Sequence, residues 1–442
     1  MNKKIFIKTF GCQMNKNDSS IMNFILEQNG CIAVDEPQDA NVIIVNTCSV
    51  RSHAEKRALG YIATLKNWRK KGKRVLGVVG CMAERLADTL TKDFPHVDLI
   101  LGPDSYRNIG TYIDDVYSRE TKIIETTLSE ETYCGIYPER SAVSCFVSIM
   151  RGCGNFCSYC VVPYVRGKAR SRPTDDIIRE IEMLVRSGVK DITLLGQNVN
   201  EYSFNNVHFA DLLRMCANIP RVFRLRFLTS HPKDMNEALI KVVKEHDTIC
   251  EWFHLPLQSG NTRILKLMNR QYTKDEYLSL VDKIKKTIPE ATITTDIIAG
   301  FPTETDEEFQ ETISVMEKVK FDDAYMYCYS PREGTRAYGY PSLPEHIIKA
   351  RLEQLIDFQN SVTIIRAREM IGRKYEVLFE GKAKNNATRG KTKGNKNIII
   401  EKEITRGEVH QVVIREVRGR TPVGELIGIE KRSDHETCST IY

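Results

Sequence analysis

Between residues 146 and 329 the chain repeats one unit six times: a short apolar run, a polar loop and a longer helical stretch. The apolar runs are Phe146–Met150, Ile192–Leu195, Phe223–Thr229, Trp252–Leu257, Ile293–Ala299 and Ala324–Tyr329. Helical stretches such as Asp175–Ser187 and Asp306–Val319 lie between them. Runs of this kind read as buried strands, and strands that alternate with helices build parallel α/β sheets. Six repeats predict an open, partial (β/α)6 barrel, related to the closed eight-fold form, with its active site at the carboxyl ends of the strands.

At 442 residues the chain is too long for one core, and three regions emerge. In the first, 1–125, Ile5–Phe10, Val42–Val45 and Val75–Val79 read as buried strands, and Ala54, Ala58, Ile62, Leu65 and Trp68 recur at helical spacing. This predicts a small, open, mostly parallel α/β sheet. The barrel occupies 139–370, joined to the first region through Ser129–Arg140. A long helix near Glu345–Met370 leads into the third region, 372–436. Its runs Tyr375–Phe379, Asn397–Ile400, Val409–Ile414 and Glu425–Ile429, set between glycines and basic loops, predict a small antiparallel β-barrel. The fold class is therefore α/β with a terminal β-barrel. No run of about twenty apolar residues argues for a membrane span, and Met1–Phe10 lacks the apolar stretch of a secretory signal. Cytoplasm is the expected compartment.

The 13 cysteines, an odd number, suit a reducing compartment where cysteines bind metal or do chemistry. Cys12, Cys48 and Cys81 each follow a predicted strand of the first region, and in open α/β sheets ligands bind at those ends. Most free cysteines are small buried core residues, but such cysteines more often sit within an apolar run than just past it beside glycine. The strongest signal is Cys153-Gly154-Asn155-Phe156-Cys157-Ser158-Tyr159-Cys160, directly after the first barrel strand. Three thiolates in one loop can hold three irons of a [4Fe–4S] cube and leave the fourth open. Zinc is the competing reading, but structural zinc usually takes four ligands and paired CxxC knuckles.

This loop, with an aromatic before its last cysteine, resembles the radical S-adenosylmethionine (SAM) superfamily. The resemblance implies that SAM chelates the open iron through its methionyl amine and carboxylate, and that reduction cleaves it to methionine and a 5′-deoxyadenosyl radical. Loops after later strands sit where the superfamily contacts SAM: Gly196 and Gln197 after the second, Gln258 and Ser259 after the fourth, and Asp296 on the fifth. Tyr159 would pack by the adenine. Ordinary polar turns and simple packing use the same residue types.

The wider wording is more specific. Thr9-Phe10-Gly11-Cys12-Gln13-Met14-Asn15, Asn46-Thr47-Cys48-Ser49-Val50-Arg51 and Gly80-Cys81-Met82-Ala83 resemble the methylthiotransferase family of radical SAM enzymes. So do Val161-Val162-Pro163-Tyr164 with Arg166-Gly167, Thr229-Ser230-His231-Pro232 and His254-Leu255-Pro256-Leu257-Gln258-Ser259-Gly260. The likeness spans almost the whole chain and is strongest to the branch acting on isopentenyladenosine in tRNA. It implies that Cys12, Cys48 and Cys81 hold an auxiliary [4Fe–4S] cluster carrying the sulfur. It also implies two SAM per reaction, and conversion of N6-(dimethylallyl)adenosine at tRNA position 37 to its 2-methylthio form. No residue beyond the clusters is implied as catalytic. Arg151 departs from members that carry an acidic residue there.

The terminal barrel resembles a TRAM domain, an RNA-binding module. From Arg373 to the end there are 15 Lys+Arg and 10 Asp+Glu, a net of +5 out of the chain's +6. The charge fits phosphate contacts, and the expected partner is the anticodon stem-loop of tRNA, with an electron donor such as a flavodoxin or ferredoxin. A monomer is expected. A second basic cluster, Lys66, Arg69, Lys70, Lys71, Lys73 and Arg74, ends a helix, where the dipole alone favours it. Cys31, Cys134, Cys145, Cys216, Cys250, Cys328 and Cys438 form no tight cluster. Sister methylthiotransferases acting on threonylcarbamoyladenosine of tRNA, or on an aspartate of a ribosomal protein, share all six ligand cysteines. A non-catalytic RNA-binding protein with structural clusters is the alternative of another class.

Overall fold

The computed structural model describes residues 3–50, 52–119, 121–138, 142–383 and 386–427. Arg51, the end of Ser129–Arg140, Cys438 and the 428–436 end of the third region lie outside the described residues. The chain divides into two compact units, 1–359 and 360–442.

The first unit begins with six parallel strands: β1 (Lys4–Thr9), β2 (Ile32–Ala33), β3 (Val42–Thr47), β4 (Val75–Gly80), β5 (Leu99–Leu101) and β6 (Ile123–Glu125). Their order is β2-β1-β3-β4-β5-β6. β3 and β4 are buried at every position because both sheet faces are covered. Val42 and Ile44 enter the core on one face, while Ile43 and Val45 enter the core on the other. β1, β3 and β4 are the strands expected from sequence. β2, β5 and β6 span only two or three residues, too few to show a period.

Six parallel strands follow: Ser144–Ser148, Asp191–Leu195, Arg224–Leu228, Trp252–His254, Thr292–Ala299 and Asp323–Cys328. They form two three-stranded sheets, first–second–third and fourth–fifth–sixth in space, linked by the bridge Leu225–Ile249. This is the open barrel arc, filled by one continuous core that includes Val147, Ile192, Leu225, Phe253, Ile297 and Ala324. The fourth strand stops at His254 rather than Leu257. The Leu257 N–H goes to the Thr295 hydroxyl at 2.9 Å instead of to a ladder carbonyl, which interrupts the pairing there. Part of the joining segment is packed rather than free: Tyr133 is 1% exposed and its hydroxyl donates to the Pro103 carbonyl.

The basic cluster at 66–74 is tied into the sheet domain. Arg69 forks onto Asp98 at 2.6 and 2.9 Å, Arg74 lies over Trp68 and Lys73 over Tyr117.

The second unit carries a closed five-stranded barrel of Lys374–Lys382, Thr388–Lys391, Asn397–Ile400, Val409–Arg418 and Thr421–Leu426. All its pairings are antiparallel except Asn397–Ile400 with Thr421–Leu426, which is parallel. Val377, Phe379, Ile398, Ile400, Val412 and Ile414 fill it. Among the described residues, no helix is long and apolar enough to cross a membrane.

Candidate active site

The first three cysteines stand at neighbouring strand ends. Cys12 directly precedes helix α1 (Gln13–Gln28), Cys48 follows β3, and Cys81 follows β4. Two glycines permit the convergence. Gly11 has φ +133°, and a Cβ there would sit 2.5 Å from Cys48 Cβ; Gly80 has φ +97°, and its Cβ would meet the Thr47 carbonyl at 2.5 Å. Buried amides lock the loops together. Asn15 Nδ2 donates to Asn46 Oδ1 and the Thr47 carbonyl at 3.0 and 2.9 Å, and Asn46 Nδ2 returns a bond to the Asn15 carbonyl at 2.8 Å.

The thiols feel one another. A hydrogen bond from Cys48 lowers Cys12, against burial and with help from the Arg166 cation. Cys48 is raised by giving that bond and by burial, and Cys81 is raised by burial.

The second triad sits in one loop between the first barrel strand and the short helix Val162–Arg166. That loop is pinned from outside. Ser158 N–H donates to the Met268 carbonyl at 3.0 Å, and Asn269 Nδ2 donates to the carbonyls of Asn155 and Phe156 at 3.2 and 3.0 Å. Arg270 Nη1 points at Cys157 Sγ from 3.5 Å, and Asn155 Nδ2 at Cys153 Sγ from 3.6 Å. Burial raises Cys153, and pushes Cys160 up to about 12. Among the described residues, no three His, Cys, Asp or Glu side chains are grouped to hold a metal ion.

The two triads are neighbours across a packed seam. Cys81, Val161 and Val165 share one small apolar cluster. Around it runs a chain of buried charges. Asp18 of α1 accepts from Arg151 Nη1 at 2.8 Å and from Arg166 Nη2 at 2.6 Å, and Arg166 Nε donates to Cys81 Sγ at 3.1 Å. Arg170 grips Asp104 at 2.9 and 3.0 Å. Farther out, Arg332, beyond the sixth barrel strand, meets Glu55, which Arg85 holds at 2.6 Å. Arg151 is thus an interface residue. Its guanidinium also lies 4.7 Å from the Tyr133 ring centroid.

The residues expected around SAM fall on the same barrel mouth. Tyr159 meets Phe301 edge-on with ring centroids 6.5 Å apart. Gly196 lies against Met150, whose Cγ a Cβ would meet at 2.6 Å. Gln258, held at φ +71°, donates its N–H to the Asp296 carbonyl at 2.8 Å, so the fourth and fifth loops lie side by side. The Asp296 carboxylate lies 3.3 Å from His254 Nε2. Ser259 is fully buried and its hydroxyl accepts from the Asn261 N–H, which makes it part of the loop's own frame.

Buried polar atoms without a partner gather on these loops. Among the described residues they include Asn155 Oδ1 and Ser158 Oγ after the first strand, Gln197 Oε1 after the second, and Ser230 Oγ and His231 Nε2 after the third. A buried polar group without a protein partner is open to a water or to a polar ligand. Burial, with Arg270 and Lys233, drives His231 down to about 2. The ring is neutral, and because Nδ1 accepts from the Lys233 N–H, Nε2 carries the proton.

Asp18, Arg166, Arg270 and His231 were not singled out from sequence as site residues. Arg166 stands in Arg166-Gly167 and His231 in Thr229-Ser230-His231-Pro232, and these motifs are the available signal. Nothing in the sequence pairs Asp18 with residues more than 130 positions away.

Comparison with known proteins gives a consistent pattern. Residues 147–316 match the radical SAM superfamily, and residues 4–102 match the uncharacterized protein family UPF0004. A tRNA-2-methylthio-N6-dimethylallyladenosine synthase from Bacteroides fragilis is 41% identical over 440 residues, 96% of each chain. The same-named enzyme from Thermodesulfovibrio yellowstonii is 40% identical over 96% of this chain and 99% of its own. Among solved structures, the radical SAM methyltransferase TsrM from Kitasatospora setae, with cobalamin and a [4Fe–4S] cluster bound, aligns with a TM-score of 0.57 at 12% identity. It covers 76% of this chain and 77% of that one, a likeness of fold alone.

Proposed function

The chain belongs to the methylthiotransferase family of radical SAM enzymes, and from that membership we propose that it converts N6-(dimethylallyl)adenosine at tRNA position 37 to the 2-methylthio derivative. Near-full-length identity to tRNA-2-methylthio-N6-dimethylallyladenosine synthases carries this reading. The enzyme uses [4Fe–4S] clusters and SAM.

We assign Cys153, Cys157 and Cys160 to the cluster that binds SAM, and Cys12, Cys48 and Cys81 to the auxiliary cluster. The donor chemistry suits a cube, in which each thiol takes a different iron: each triad offers three thiols that interact electrostatically and receives N–H···S bonds. When bound, these groups supply the radical that takes hydrogen from carbon 2 and the sulfur that replaces it, a second SAM giving the methyl group. The chain's own residues bind and orient. Burial keeps most of the free thiols protonated, so loading with iron must release protons. Gln197, Ser230 and His231 offer unused polar atoms toward the mouth, where the SAM amine and carboxylate need partners. Gln258 and Asp296, on adjoining loops, are assigned to the ribose side, and Tyr159, with Phe301 behind it, to the adenine. Gly196 keeps its loop close to Met150.

We further assign 1–125 as the auxiliary-cluster domain, 139–370 as the radical SAM core and 372–436 as a TRAM-like RNA-binding module. A flavodoxin- or ferredoxin-type electron donor, a cytoplasmic location and a monomeric state complete the proposal.

Three anticodon stem-loops test it: unmodified, prenylated and threonylcarbamoylated, followed by nucleoside mass spectrometry. Stacking a flipped base is worth roughly 1–3 kcal/mol, and burying the dimethylallyl tail adds about 0.8 kcal/mol per methylene. A preference of a hundredfold or more for the prenylated loop is expected. Preferred turnover of the threonylcarbamoyl loop would move the chain to that sister branch.

A further inference from the structure

Arg166 belongs to the barrel, six residues beyond Cys160, yet its side chain ends among the cysteines of the sheet domain. Nε donates to Cys81 Sγ at 3.1 Å and Nη2 to Asp18 Oδ2 at 2.6 Å. The side chain is 3% exposed, and Nη1 is buried without a partner. Asp18 cannot swing away, because Arg151 holds its other oxygen at 2.8 Å. The sheet domain thus presents a carboxylate and a thiol, and the barrel supplies the cation that lies between them.

We propose that Arg166 is the positioning cation of the auxiliary-cluster site, fixing the Cys81 sulfur by a hydrogen bond and favouring the reduced state of the cluster, so that the first triad is electrostatically complete only with the barrel packed against it. The inference rests on ligation by Cys12, Cys48 and Cys81. Hydrogen bonds to ligand sulfurs and nearby charge are levers that set cluster potentials. Both act here in one direction. The N–H withdraws electron density from the sulfur, and a cation shielded from water stabilises the more negative, reduced cluster.

The test uses the full chain carrying Cys153→Ala, Cys157→Ala and Cys160→Ala, so that only the auxiliary cluster is loaded. In this background Arg166→Gln should lower the midpoint potential, followed by electron paramagnetic resonance. The expected size is at least the tenfold change that about 59 mV expresses for one electron. Arg166→Lys, which keeps the charge, should fall between. As a second readout, arginine labelled with 15N in its guanidinium should give a hyperfine coupling to the reduced cluster, and Arg166→Lys should abolish it. Equal potentials in all three proteins, or a coupling that is absent or survives the Lys substitution, would overturn the role of Arg166. If the background protein loads no cluster, it is the ligation by the first triad that fails.

Discussion

Asp18, on the helix that follows Cys12, is ion-paired with Arg151, the residue just before Gly152 and Cys153, at 2.8 Å and with both side chains shut off from water. The pair clamps the base of one cysteine loop to the base of the other. Removing one partner of a buried pair leaves an uncompensated charge, which costs about 3–5 kcal/mol. Arg151→Met leaves Asp18 held by Arg166 alone, at 2.6 Å, so it should destabilise the protein by less than that in urea unfolding. Asp18→Asn combined with Arg151→Met should cost less than the two single changes added. Full additivity would show that the two side chains are not coupled.

Iron content separates the triads. Wild-type protein reconstituted without oxygen should hold about eight irons, four per cube. Changing Cys153, Cys157 and Cys160 together to Ala should leave about four and abolish reductive SAM cleavage. Full iron in that variant would remove this loop as a cluster site.

The opposite variant tests the division of labour. With Cys12, Cys48 and Cys81 changed to Ala, SAM cleavage should continue while the methylthio nucleoside disappears. Product at the wild-type yield would sink the sulfur-carrying role of the first triad.

Glu84 makes the protein's stability sensitive to pH. Burial, and then the charges of Asp104 and Glu125, push its carboxyl up to about 8, and its Oε2 is buried without a partner. In the unfolded chain the group ionises near its ordinary 4.5. Between these values the folded protein holds a proton that the unfolded chain has released, so stability falls as pH rises through the window and levels off above it. Glu84→Gln cannot ionise and should flatten the decline of Tm between pH 5 and 8. An unchanged slope would mean that other groups set it.

Deleting 373–442 should weaken tRNA binding and flatten its dependence on salt, by about one unit of slope for each phosphate that the barrel no longer neutralises. SAM cleavage without RNA should persist, since all six cysteines assigned to the clusters precede residue 161. Unchanged affinity would exclude the terminal barrel as the RNA anchor.

Much of this was legible in the chain itself. The six apolar runs became the six barrel strands, and Asp306–Val319 and Asn397–Ile400 match their predicted ends residue for residue. The positions of Cys12, Cys48 and Cys81 past strands, and of Cys153, Cys157 and Cys160 in one loop, were readable because strand ends and glycines are local features, written in consecutive residues and set by short-range sterics. β2, β5 and β6 were illegible because a strand of two or three residues exists only through the neighbour it pairs with. Arg151 was readable only as a charge beside a loop, and Arg166 only as part of a motif. Tertiary structure decided that both reach back to Asp18, across 133 and 148 positions, and that Arg166 goes on to Cys81. A buried arginine is tolerated only where its partners meet it, and those partners come from another part of the chain. Sequence therefore determined which residues could carry the chemistry, whereas the packing of sheet domain against barrel decided which charges stand beside them.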